Sequence, residues 1–86
     1  MPMEIRYSKT ALKALTKLPS NTAQLIRGKI RQYAADPTSL ANNVKKLQGR
    51  EDEYRLRVGD WRVIFTQDGV IMNVLKVGSR GSVYED

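Results

Sequence analysis

Residues 53–77 alternate apolar and polar side chains and are interrupted twice by a glycine–aspartate pair. The segments are "EYRLRV", then Gly59–Asp60, "WRVIFTQ", then Asp68–Gly69, and "VIMNVLKVG". Alternation with period two marks strands with one buried face, and Gly–Asp or Asp–Gly pairs between such runs mark tight hairpin turns. Two-residue loops at both sites predict a three-stranded antiparallel meander. In its first hairpin Val58 faces Trp61, Arg57 faces Arg62, Leu56 faces Val63, Arg55 faces Ile64 and Tyr54 faces Phe65. In its second, Gln67 faces Val70, Phe65 faces Met72, Ile64 faces Asn73, Val63 faces Val74 and Arg62 faces Leu75. One face then carries Tyr54, Leu56, Val58, Trp61, Val63, Phe65, Met72 and Val74. The other carries Arg55, Arg57, Arg62, Ile64, Asn73, Leu75 and Val77. A one-residue slip exchanges the faces, so burial of the apolar one sets the register.

The N-terminal half supplies what covers the apolar face. "MEIRYS" (3–8) alternates as a short strand, and Ser8 is placed to cap a helix. Over 9–18, Ala11, Leu12, Leu15 and Leu18 share one helical face. Pro19, Ser20 and Asn21 end that helix and begin a second, whose apolar stripe is Ala23, Ile26, Ile30, Tyr33 and Ala34. Gly28 costs about 1 kcal/mol against alanine in a helix, which close approach of the two helices would justify. Pro37 pushes its predecessor out of helical geometry and ends the second helix. Residues 38–52 read as loop, anchored by Leu40, Val44 and Leu47. The fold class is α+β, with an N-terminal strand, a helical hairpin and a meander, both helices on one sheet face. The sequence leaves open which meander edge the first strand joins.

The chain has 86 residues, enough for one domain, 1–86. It has no cysteine and no histidine, which removes thiolate sites, disulfides, the commonest metal ligand and the usual general base near neutral pH. Any chemistry falls to Lys, Arg, Tyr, Ser, Asp or Glu, and no cofactor or metal is expected. No segment resembles a signal peptide, and no apolar run approaches the roughly 18 residues of a spanning helix, so a cytoplasmic location is expected. The net charge is +6, from 15 Lys+Arg against 9 Asp+Glu. Such an excess on a short chain serves an anionic partner or only solubility.

Arg57 directly opposite Arg62 brings two guanidiniums within about 5 Å, which is unfavourable unless an anion or water intervenes. Two readings are open. Glu51, Asp52 or Glu53 neutralises the arginines on a solvated face, or the face holds a phosphate or carboxylate. Arginine suits the second, since its planar fork takes two oxygens at once. Lys9, Lys13 and Lys17 form a second cationic row at i, i+4 spacing, either a solvated helix face or a surface that touches RNA. Beyond the last strand, "VGSRGSVYED" (77–86) has Gly78 and Gly81 to bend the chain and presents Arg80 and Tyr84 at the end of the sheet.

Together, "YRLRVGDWRVIF" and "VGSRGSVY" resemble the central hairpin and C-terminal signature of the RelE/ParE toxins of type II toxin–antitoxin systems, over essentially the whole chain. The resemblance implies the fold just described. Its RelE branch implies a ribosome-dependent mRNA endoribonuclease, in which a ribose 2′-hydroxyl attacks the adjacent phosphate. By similarity Arg55 and Arg57 match two basic residues of the second strand, Arg62 the arginine of the third, Arg80 the arginine near the end and Tyr84 the terminal tyrosine. Arg57, Arg62, Arg80 and Tyr84 are then the catalytic candidates. Arg55, Lys76, Lys13 and Lys17 are the candidates for holding RNA phosphates. The implied partners are the ribosome, messenger RNA and a cognate antitoxin with an acidic, amphipathic segment.

Two departures bear on the chemistry. Some active members have lysine where this chain has Arg55 and Arg57, and many have histidine where it has Ser79. Arginine does not readily act as a base, so the proton-transfer groups are unassigned. Three function classes follow: the endoribonuclease, a ParE-like inhibitor of DNA gyrase without chemistry of its own, and a non-toxic module whose cationic face holds an acidic partner.

Overall fold

A computed structural model describes residues 2–49 and 52–79 of the chain. In order, its elements are β1 (Glu4–Tyr7), α1 (Lys9–Thr16), α2 (Ser20–Ala35), a 3-10 segment (Pro37–Asn43), β2 (Val44–Lys46), β3 (Glu53–Val58), β4 (Trp61–Gln67) and β5 (Ile71–Ser79). The five strands form one sheet in the order β1-β5-β4-β3-β2. β1 joins parallel to β5, which answers the question of its edge, and the other pairings are antiparallel.

Both helices lie on one face. Ala11 and Leu15 of α1, and Ile26, Ile30, Tyr33 and Ala34 of α2, pack with Leu56, Val58, Val63, Phe65, Met72, Val74 and Val77 of the sheet. Phe65 is fully buried at the centre, stacked on Tyr54 with ring centroids 5.6 Å apart and tilted against Tyr33 at 5.2 Å. Burying a side chain of that kind stabilises by about 1.5–3 kcal/mol. Leu12, expected in the α1 stripe, is instead 40% exposed.

Local chemistry fixes the junctions. The Ser8 hydroxyl accepts from the Ala11 N–H at 3.0 Å, capping α1, and donates to the Leu75 carbonyl at 2.7 Å, while the Ser8 N–H reaches the Val74 carbonyl at 2.9 Å. Asp36, before Pro37, leaves the helix at φ −150°. Gly28 is no close-approach glycine. A Cβ there would meet nothing nearer than an Arg31 side-chain nitrogen at 4.0 Å.

Three readings of the sheet are corrected. Residues 38–52 are not all loop, since Val44–Lys46 pair with β3. A three-residue strand is too short for its alternation to stand out, and the free edge of β3 is what orders it. The second hairpin turns one residue later than expected. Asp68 faces Ile71 (N–H to carbonyl, 3.3 Å) around Gly69–Val70, and Gln67 pairs with Met72 rather than Val70. The Asp68 carboxylate drives this choice, accepting the Val70 and Ile71 N–H groups, each at 2.8 Å. Finally, a β-bulge at Leu75 breaks the ladder, so that Phe65 pairs with Val74 but Ile64 with Lys76. A bulge inserts one residue and inverts the facing of all that follow it on its strand. Val77, expected beside the arginines, is therefore in the core at 7% exposure, and Arg62 faces Gly78 rather than Leu75.

Candidate functional site

The sheet face away from the helices is built in cross-strand rows. One row is Arg57–Arg62–Gly78, and the next is Lys45–Arg55–Ile64–Lys76. Gly59, at φ 59°, makes the tight turn that sets Val58 against Trp61 and, one residue further, Arg57 against Arg62. That pairing is as expected. The bulge at Leu75 brings Lys76 onto this face, since without it Lys76 would point to the helices. Gly78, which pairs with Arg62, has no side chain.

Arg62 is buried, with 9% of its surface exposed. Its Nη1 donates to the Gly59 and Trp61 carbonyls, each at 3.1 Å, which anchors the guanidinium at the β3–β4 turn. Its Nε is buried without a hydrogen-bond partner, and so is the Nε of Arg55. A buried N–H left unpaired costs about 1–3 kcal/mol, so each calls for an acceptor that the described residues do not supply. Arg57 is exposed. None of Arg55, Arg57 and Arg62 makes an ion pair with a described residue; on β1, Arg6 Nε meets Glu4 at 2.9 Å. Strand register places all three arginines, and carbonyls hold Arg62; Glu51, expected as one of their neutralising partners, lies outside the described residues. Ile64 between them is 1% exposed, giving the rows an apolar floor that strengthens electrostatic attraction above it.

Lys45 is a member of the cluster that sequence reasoning missed. It faces Arg55 because β2 pairs with β3, and only recognition of that short strand could have found it. Lys13 and Lys17 do not join the cluster. Both are exposed on α1 or at its C-cap, in the layer that covers the other sheet face. Arg80 and Tyr84 lie outside the described residues. A recess of about 350 Å³ lies at the sheet end remote from Arg57 and Arg62, lined by Asp52, Thr66, Gln67, Asp68, Ile71 and Asn73. Its two carboxylates repel phosphate, which leaves the arginine rows as the candidate anion site. The Asp68 carboxyl is held below its ordinary value of 3.8 by the Ile71 and Val70 N–H groups. Burial raises the Tyr33 hydroxyl above its usual range, against a hydrogen bond from that hydroxyl to Gln67 Oε1 at 3.0 Å.

The family model described as the ParE toxin of the type II toxin–antitoxin system parDE matches residues 5–84. Toxin RelE3 of Methanocaldococcus jannaschii is 28% identical over 85 residues, covering 96% of this chain and 97% of that protein. In the crystal structure of the archaeal RelE–RelB complex from Pyrococcus horikoshii OT3, a chain 28% identical superposes with a TM-score of 0.77, covering 96% of this chain and 100% of that one. The isolated E. coli RelE toxin shares the fold, with a TM-score of 0.73 at 23% identity over 91% of this chain and 84% of that one. The chain accordingly belongs to the RelE/ParE family, a RelE-like toxin of a type II toxin–antitoxin system.

Proposed function

We propose that this toxin is a ribosome-dependent endoribonuclease that cleaves messenger RNA by attack of a ribose 2′-hydroxyl on the adjacent phosphate, giving a 2′,3′-cyclic phosphate and a 5′-hydroxyl. The observation that carries this reading is the Arg57–Arg62 pair, facing each other across β3 and β4 without an ion-paired carboxylate among the described residues. Attack on phosphorus builds charge on the non-bridging oxygens, and fixed guanidiniums stabilise that charge without reorganising. Arg62, tethered by Nη1, and Arg57 opposite clamp the scissile phosphate. Arg55, Lys45 and Lys76, one row along, take the neighbouring phosphate. Arg80 assists the leaving 5′-oxygen, and Tyr84 orients the nucleotide or helps remove the 2′ proton. An antitoxin is the natural partner, as RelB is for RelE in the Pyrococcus complex, and an acidic segment covering the arginine rows would silence them.

The match to the ParE family model favours a second reading, inhibition of DNA gyrase by binding alone. One experiment separates the two. Purified toxin, ribosomes and a defined message, read by primer extension, yield cuts inside codons only when ribosomes are present, while gyrase supercoiling is unaffected. Intact message together with blocked supercoiling overturns the nuclease reading.

A further inference from the structure

Two-residue hairpin turns take two favoured forms. Type I′ needs positive φ at both central residues, and type II′ needs it at the first alone. The β3–β4 turn has Gly59 at φ 59°, while Asp60 lies outside the positive-φ region. It is therefore type II′. The residues alone do not force that choice. Glycine accepts positive φ without steric cost, and aspartate is one of the few side chains that tolerate the left-handed region. Gly–Asp thus permits type I′ as well.

The type II′ form aims a carbonyl. The two forms differ in the orientation of the peptide joining Gly59 to Asp60, which carries the Gly59 oxygen. In the observed form that oxygen accepts from Arg62 Nη1 at 3.1 Å, and the Trp61 carbonyl accepts from the same nitrogen at 3.1 Å. Nη1 has two protons, so both are taken by the turn. A planar guanidinium held at one end by two acceptors has a fixed plane. Nη2 makes no hydrogen bond to a described residue, and Nε is buried without a partner. Neither cross-strand neighbour helps to orient Arg62, since Arg57 repels it and Gly78 has no side chain. Turning the 59–60 peptide over removes one of the two anchors and leaves the hairpin itself intact.

We propose that Gly59 is a positioning residue for Arg62: the type II′ turn points the Gly59 carbonyl at Nη1 and so directs Nη2 at a phosphate oxygen. This role rests on the reading of Arg62 as a clamp on the scissile phosphate of a message. The form of the turn, and not only its length, then sets the rate of cleavage.

The test exchanges the turn form within the full chain. In Gly59→Asn/Asp60→Gly the loop becomes Asn–Gly, a strongly type I′ pair, and the 59–60 peptide turns over. Asp60→Thr is the control, because a β-branched residue resists positive φ and keeps type II′. Each protein is measured for its thermal midpoint, for ribosome-dependent message cleavage with kcat and KM resolved, and for the order parameter of the Arg62 Nε–H by nuclear magnetic relaxation. The double variant keeps its midpoint and its KM, because the hairpin and the ground-state contacts survive. Its kcat falls by about 10–10²-fold, the effect of a misplaced transition-state contact. Its Arg62 order parameter falls from the rigid range of about 0.85 towards the flexible range below about 0.6. Asp60→Thr stays at wild-type values in all three. A double variant that cleaves as fast as the wild type overturns the proposal and leaves the nuclease reading standing. So does an Arg62 signal that stays rigid, a fall in midpoint large enough to explain the lost activity, or an equal loss in Asp60→Thr. Wild-type toxin that leaves the message intact on ribosomes removes the nuclease reading, and the positioning role with it, before either variant is compared.

Discussion

One hydroxyl joins three elements of this toxin. Ser8 caps α1 through the Ala11 N–H and holds the carbonyl of Leu75, the bulge residue that brings Lys76 to the cationic face. Ser8→Ala removes both bonds and is expected to cost about 1–2 kcal/mol, measured by urea denaturation. Asp68 acts similarly at the β4–β5 turn. Its carboxyl value lies below 3.8 in the folded chain, so its ionised form stabilises the fold above about pH 3.8, and that contribution is lost as pH falls through the lower folded value. Asp68→Asn is therefore expected to lower the thermal midpoint at pH 7, with the gap to wild type closing on acidification below pH 3.8. A gap that persists in acid would show that the carboxylate charge is not what holds the turn. At this scale the Arg57–Arg62 pairing was legible, because one turn glycine and strict alternation suffice to define it. Lys45 was not, because its facing depends on a strand without a sequence signature of its own.

At the scale of elements, the two hairpins show what pattern reading can carry. Gly59–Asp60 forms the turn its residues imply, and every pair of the first hairpin follows from it. Asp68–Gly69 has the same composition, but Asp68 serves as a side-chain acceptor rather than a turn residue, and the register moves by two. An even shift preserves facing, which is why Met72 and Val74 are still buried as expected. The bulge at Leu75 is an odd shift, and it exchanges Lys76 and Val77. β2, three residues with two lysines, guards the exposed sheet edge against pairing with other chains. In α2, Gly28 has neither a close neighbour nor a left-handed backbone to require it. Gly28→Ala is expected to raise stability by about 0.5–1 kcal/mol in chemical denaturation, and a loss would reveal a contact to this face.

Among the described residues, the molecule is a five-stranded sheet with an apolar side closed by two helices and a cationic side that carries the arginine rows. Among the described residues no helix is long and apolar enough to cross a membrane. The overall architecture was legible because the apolar stripes of both helices and the apolar sheet face must meet. The completeness of the sheet was not, since its edges depend on pairing between segments far apart in sequence. On the proposed function, the Arg57–Arg62 pair holds a phosphate and works against the stability of the chain that carries it. Arg57→Ala tests this most directly, because Arg57 is exposed and removing it relieves a cross-strand repulsion. Ribosome-dependent message cleavage and thermal stability are measured on the same preparation. The predicted result is a loss of cleavage of about 10²–10³-fold with a midpoint equal to or above that of the wild type. Cleavage at the wild-type rate, or a fall in stability large enough to explain its loss, would contradict it.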